Sequence, residues 1–173
     1  EGGGNFGNRS FAGDRVQGKA SYRMYGKDVN VNTYVGSCNT NAVNDFPFGT
    51  FTATNPDSLY VNLYIYGTGR QNSTISIIAF ENDNDFPVGT YDATRFDRWI
   101  NFVPVTWTGW QLVSIRYSSF KRPGSGSGRG NNQLTPNKLC GFAFGLDSYP
   151  DGGFEVEAFA DMFVVTENGP FKQ

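Results

Sequence analysis

Between Leu59 and Tyr66 apolar and polar positions alternate without a break. Leu59, Val61, Leu63 and Ile65 fall on one side of an extended strand, and Tyr60, Asn62, Tyr64 and Tyr66 on the other. The first side is a core face. The second carries three phenols and an amide, groups that are costly to bury without hydrogen-bond partners. The same reading predicts strands near Ala20–Tyr25, Val29–Val35, Phe48–Ala53, Leu59–Tyr66, Thr74–Glu81, Ile100–Val105, Gln111–Tyr117, Leu139–Gly145 and Glu155–Thr166, separated by Gly, Pro, Asn and Asp clusters. That spacing belongs to an all-β sandwich or barrel. Arg122–Gln133, with Pro-Gly-Ser-Gly-Ser-Gly in its first half, reads as a loop inside the domain. The segment Asn44-Asp45-Phe46-Pro47-Phe48-Gly49-Thr50-Phe51-Thr52-Ala53-Thr54 returns as Asn84-Asp85-Phe86-Pro87-Val88-Gly89-Thr90-Tyr91-Asp92-Ala93-Thr94. Each copy reads as a polar turn entering a short strand, as at equivalent edges of a pseudo-symmetric sandwich.

Composition narrows the chemistry. A chain of 173 residues fits one domain and buries enough surface to need no metal or disulfide for its fold. The net charge of −2 supplies no basic field for nucleic acid or an anionic membrane, so a neutral polar ligand fits better than a polyanion. The chain has no histidine, which excludes Ser–His and Cys–His catalysis and most zinc sites. Cys38 and Cys140 form no C-x-x-C pattern; a disulfide and a buried free thiol both remain open. There is no transmembrane run and no signal peptide, and the abrupt start at Glu1-Gly2-Gly3-Gly4 suggests a piece of a longer protein with further domains upstream.

Flat rings with polar edges on a rigid sheet suit a sugar ring, which stacks a C–H face on an aromatic while its hydroxyls take hydrogen bonds. Tyr60, Asn62, Tyr64 and Tyr66 are therefore candidate carbohydrate contacts; the competing reading is that a loop covers them. Arg116, on the non-core face of a neighbouring strand, offers paired donors to adjacent hydroxyls, or else a salt bridge to Glu155 or Glu157. Trp99 follows a polar, charged stretch and is read as a loop residue, either a sugar platform or a lid on the core. Asp161 sits in the apolar run Phe159–Val165 and needs a cation or donors. Glu81, Asp83 and Asp85 form a second acidic group, a loop calcium site or a solvated turn.

The tryptophan at Trp110 followed by Val113, Ile115 and Phe120, and the final Phe159-Ala160-Asp161-Met162-Phe163-Val164-Val165, resemble the jelly-roll carbohydrate-binding modules of the galactose-binding-like superfamily. Val16-Gln17-Gly18-Lys19-Ala20-Ser21-Tyr22-Arg23-Met24 is similar to the glycine-then-strand segment near the start of such domains. More narrowly, Ser21–Asp28, Gly109–Ser114 and the closing Phe163–Pro170 resemble the C-terminal domains of surface glycan-binding lipoproteins from starch-utilisation-like systems of Gram-negative bacteria. The resemblance implies a jelly-roll β-sandwich of two antiparallel sheets. It also implies a structural calcium between first and last strands, ligated by Asp161, Glu1 and carbonyls around Gly18 and Lys19. Met162 departs from the polar neighbour usual in that motif, and a carboxylate held by hydrogen bonds alone is the alternative.

The expectation is thus a non-catalytic glycan-binding module, extracellular or at the cell surface, anchored to an outer membrane through a region ahead of Glu1. One alternative is a structural or adhesion module docking on another domain. The other is a glycoside hydrolase or lyase, which needs two carboxyls across a cleft, whereas Glu155 and Glu157 lie two apart on one strand.

Overall fold

The computed structural model describes residues 5–11, 15–18, 20–29, 35–40, 51–83, 96–124, 130–148 and 151–172. Among the described residues nine strands form two antiparallel sheets, a jelly-roll β-sandwich. One sheet has the order β1 (Asn5–Phe11), β2 (Ser21–Val29), β9 (Phe154–Glu167), β4 (Leu59–Thr68), β7 (Thr108–Arg116). The other runs β3 (Val35–Thr40), β8 (Leu139–Ser148), β5 (Ser73–Glu81), β6 (Asp97–Pro104). Among the described residues the remaining regular structure is three single 3₁₀ turns, at Pro56–Ser58, Tyr117–Ser119 and Pro136–Lys138.

The alternation read at Leu59–Tyr66 is what places β4 at the heart of the first sheet. Its Leu59, Val61, Leu63 and Ile65 meet Ile75 and Ile77 of β5, Phe142 and Leu146 of β8, and Val156 and Ala158 of β9 in one core. Strand β9 keeps an apolar inner face along its whole length only because it carries a bulge. The register with β4 advances from Asn62↔Val164 to Tyr64↔Asp161, so β9 gains one residue there, and Met162 takes a left-handed φ of 48°. Without that extra residue the inward set Val156, Ala158 and Ala160 would not continue as Phe163 and Val165. Gly67 has a different reason to be glycine: a Cβ there would collide with the carbonyl of Trp107.

The loop between β1 and β2 and the C-terminal tail both bond to the outer face of the five-stranded sheet. Val16 and Gln17 donate their backbone N–H groups to Asp161 Oδ2 at 2.7 and 3.0 Å, and Phe171 donates to Asn62 Oδ1 at 3.0 Å. Strand β1 was not foreseen, since Asn5–Phe11 is polar and glycine-containing and has no alternation to read. Strand β6 begins at Asp97, three residues before the expected start. The expected strands over Val29–Val35 and Phe48–Ala53, and both copies of the repeated Asn-Asp-Phe-Pro segment, fall largely outside the described residues; of the first copy, residues 51–54 are described and carry no strand. Cys140 is a buried free thiol pointing its Sγ–H at the Phe80 carbonyl, 3.3 Å away, so it is not joined to Cys38.

Candidate functional site

Strand pairing brings Tyr60, Asn62, Tyr64 and Tyr66 of β4 onto one face with Arg116, Ser114, Leu112 and Trp110 of β7. They do not form a continuous platform. Asn62 is 1% exposed and its amide is fully used, donating to the carbonyls of Tyr60 (3.2 Å) and Val164 (3.1 Å) and to Thr166 Oγ1 (3.0 Å) while accepting from Phe171. It clasps the C-terminal tail, with both of its N–H groups engaged within the fold and the side chain buried from any ligand. Tyr64 is 6% exposed. The middle of the face is therefore closed, and the accessible rings are left at its two ends.

At one end Arg116 donates through Nε to the Tyr60 hydroxyl at 3.1 Å, lies over the Tyr60 ring, and has Asp57 at 3.8 Å. The salt bridge foreseen for Arg116 goes elsewhere: Glu155 pairs with Arg70 at 2.8 Å and Glu157 with Arg23. At the other end Tyr66 sits edge-on between Trp110 and Phe159, with centroids 5.4 and 5.5 Å away. Trp99 belongs to neither end. It lies on β6, 7% exposed, with Nε1 donating to Glu81 Oε2 at 2.7 Å. The polar run ahead of it suggested a loop, but the ring is part of the core, as a buried indole with a fixed partner should be.

The opposite face, outside the four-stranded sheet, holds a groove of about 860 Å³. Its floor comes from alternate positions of adjacent strands, paired as Ser76↔Phe102 and Ile78↔Ile100, with Asp147 from β8 beside them. One wall is the segment after β7, which is bound to the sheet by reciprocal backbone hydrogen bonds between Ile100 and Lys121 at 2.7 and 2.8 Å. Phe102 is 40% exposed, a large ring open to solvent. Ser76 and Asp147 are 1% and 3% exposed, and neither Ser76 Oγ nor Asp147 Oδ1 has a hydrogen-bond partner. The serine lies close enough to favour the carboxylate slightly, but the two do not align into a bond. Burial dominates and pushes the Asp147 carboxyl up to about 6. The sequence did carry a signal for this groove. Thr74 and Ser76 alternate with Ile75 and Ile77, and Asp147 ends an apolar strand; polar residues on the outward face of a central strand mark a surface, and Phe102 faces the same way.

A third feature lies where β5 ends and β6 begins. Ligand oxygens of Glu81, Asp83 and Asp97 fall within 4.8 Å of one another. Glu81 accepts from Trp99, from the Tyr117 hydroxyl at 2.8 Å and from Thr135 N at 2.6 Å; Asp97 accepts from the backbone of Gly130 and Asn132. Asp83 accepts from Asn131, and its other oxygen is buried without a partner. Burial raises Glu81 to about 7 and, together with the neighbouring Asp97 charge, raises Asp83. The cluster thus ties the segment 130–135 to the sheet. Oxygen-rich and acidic, it is a set that could hold a hard metal ion. The sequence located two of its members; Asp97 joins them only through strand pairing with Glu81, and Asp85 lies outside the described residues.

Asp161, expected to ligate calcium or else to be held by hydrogen bonds, has the hydrogen bonds: Oδ2 takes two backbone N–H donors and Oδ1 takes the N–H of Met162 at 2.7 Å. Glu1 lies outside the described residues.

No protein-family model and no curated protein sequence matches the chain. Solved structures do. A family 11 carbohydrate-binding module from Clostridium thermocellum, in complex with a β-1,3-1,4-mixed-linked tetrasaccharide, aligns with a TM-score of 0.63 at 14% identity, covering 94% of this chain and 83% of that one. The family 30 carbohydrate-binding module of the cellulosomal cellulase Cel9D-Cel44B of the same organism gives 0.56 at 16%, covering 92% and 82%. The glycoside hydrolase domain of Endo-D from Streptococcus pneumoniae R6 gives 0.52 at 12%, over 97% of this chain but only 21% of that one. At such identities the likeness speaks to fold, and the chain has the β-sandwich fold of the carbohydrate-binding modules it matches.

Proposed function

We propose that the domain binds a neutral polysaccharide without cleaving it, in the groove on the four-stranded sheet. The observation that carries this is the groove itself: an open trough of about 860 Å³ with apolar Ile78, Ile100 and the exposed ring of Phe102 beside polar groups, the mixture a pyranose chain requires. The opposite face supports the choice, because Asn62 and Tyr64 at its centre are buried and the Val16–Gln17 segment and the C-terminal tail are bonded onto it. The tetrasaccharide carried by the family 11 module makes a mixed-linked β-glucan the first ligand to try. The test is affinity electrophoresis and calorimetry against soluble β-glucans, in which Phe102→Ala weakens binding while leaving the melting temperature nearly unchanged. A second reading places glycan on the half-exposed rings of Tyr66 and Trp110, backed by the buried ring of Phe159 and favoured by their clustering at one end of the five-stranded sheet.

Several features favour binding over hydrolysis. A general acid for glycoside cleavage needs a raised pKa, whereas Glu155 is lowered by its hydrogen bond to Arg70. Of the three raised carboxyls, Glu81 and Asp83 belong to the cluster that ties the segment 130–135 to the sheet, and only Asp147 lines the groove, so no second one faces it there. For the Glu81, Asp83 and Asp97 cluster we propose calcium, which would relieve the repulsion of three crowded carboxylates. An extracellular or cell-surface setting, and attachment to further domains, accords with a polysaccharide ligand. No helix among the described residues is long and apolar enough to cross a membrane.

A further inference from the structure

We propose that Asp147 and Ser76 form a hydroxyl-reading subsite in the groove floor, which makes the domain select sugar rings that carry free adjacent hydroxyls and no negative charge at that point. This rests on the groove reading above and specifies what the groove reads. Both side chains are almost wholly buried, both line the groove, and each has an oxygen without a partner. A buried orphan acceptor is a standing cost to the fold, and native proteins keep such groups where a ligand or function uses them. The chemistry is complementary to a vicinal diol. An ionised Asp147 only accepts, so it must be met by O–H donors; the Ser76 hydroxyl both donates and accepts, so it can bond the neighbouring oxygen of the same ring. A uronate carboxylate at this position would instead meet the like charge of Asp147 at close range, with the cations Lys121 and Arg122 set apart in the groove wall. The apolar side chains of Ile78 and Ile100, paired across β5 and β6 next to Ser76, cannot contribute hydrogen bonds, so on the floor of the groove the polar reading of the ring falls to Asp147 and Ser76, while Lys121 and Arg122 line its wall.

The experiment measures affinity of the whole chain for two probes, a soluble mixed-linked β-glucan and the same polymer oxidised at C6 to uronate. The unmodified protein should bind the neutral polymer at least about tenfold more tightly, since a site built to bond hydroxyls rejects an analogue that leaves it unpaired. Asp147→Asn should weaken neutral binding by about tenfold and narrow the gap between the polymers, and Ser76→Ala should weaken neutral binding by about three- to tenfold. Melting curves establish that each variant is folded, and the selectivity of the unmodified protein needs no variant at all. Equal affinity for both polymers overturns the proposal, as does wild-type affinity in both variants; if Phe102→Ala still loses binding in that case, the groove stands and only the subsite falls. Failure of the unmodified protein to bind the neutral polymer overturns the subsite and the groove together.

Discussion

Replacing Asn62 by alanine separates the two faces of the sandwich most cleanly. The amide makes four contacts of 3.0 to 3.2 Å, three as donor and one as acceptor; three of them tie β4 to β9 or to the C-terminal tail, and one closes on Tyr60 within β4. A typical net hydrogen bond is worth about 1 kcal/mol, and the three donor contacts share two hydrogens, so they count for about two bonds. With the Phe171 N–H left without its acceptor, the expected loss is about 2 to 4 kcal/mol. For a domain of this size that lowers the melting temperature by about 5 to 15 °C. Differential scanning calorimetry reads the loss, and a β-glucan titration on the same sample below its transition reads the function. Binding should be unchanged, because the clasp lies on the sheet opposite the groove. An Asn62→Ala protein that melts like the unmodified one and no longer binds glycan would refute the reasoning, and would return the tyrosine face to the role its alternation first suggested.

Two further outcomes follow from the carboxylates. Because the folded-state pKa of Asp147 is raised to about 6, above its ordinary 3.8, the folded protein holds that proton more tightly than the unfolded chain. Its favourable contribution is complete below about pH 4 and is lost as pH rises through 6, a change of about 3 kcal/mol that urea titrations across this range should detect and Asp147→Asn should remove. Calcium should raise the melting temperature of chelator-treated protein through preferential binding to the folded state. Asp83→Asn should abolish that response and Asp161→Ala should leave it intact; the reverse pattern would put the ion at the last strand after all.

Much of the fold was legible because period-two patterning is a direct record of which side of a sheet faces the core. Leu59–Tyr66 shows it best, and the predicted strands at Thr74–Glu81, Leu139–Gly145 and Glu155–Thr166 all lie within β5, β8 and β9. The same pattern says which residues face outward but not what else lies on that face. Asn62 and Tyr64 point away from the core as read, yet both are buried, and a tail more than a hundred residues away in the chain bonds to Asn62. Asp161 was correctly seen to need partners, and those proved to be backbone N–H groups of an N-terminal loop, a contact that no local spacing encodes. Trp99 was misplaced for a related reason. Its acceptor, Glu81, lies two positions diagonally across the β5–β6 pairing, so only the assembled sheet shows that the indole has a buried carboxylate waiting for it. The groove went unread because its members are spread over three strands and a wall segment, each contributing one or two unremarkable residues.

The central claim is that glycan lies on the four-stranded sheet. Calorimetric titration of a mixed-linked β-glucan into Phe102→Ala and Tyr66→Ala, side by side with the unmodified chain, tests it most directly. Loss of the exposed Phe102 ring should weaken binding by about 1 to 3 kcal/mol, and Tyr66→Ala should bind as the unmodified protein does. Wild-type affinity in Phe102→Ala together with lost binding in Tyr66→Ala would contradict the account.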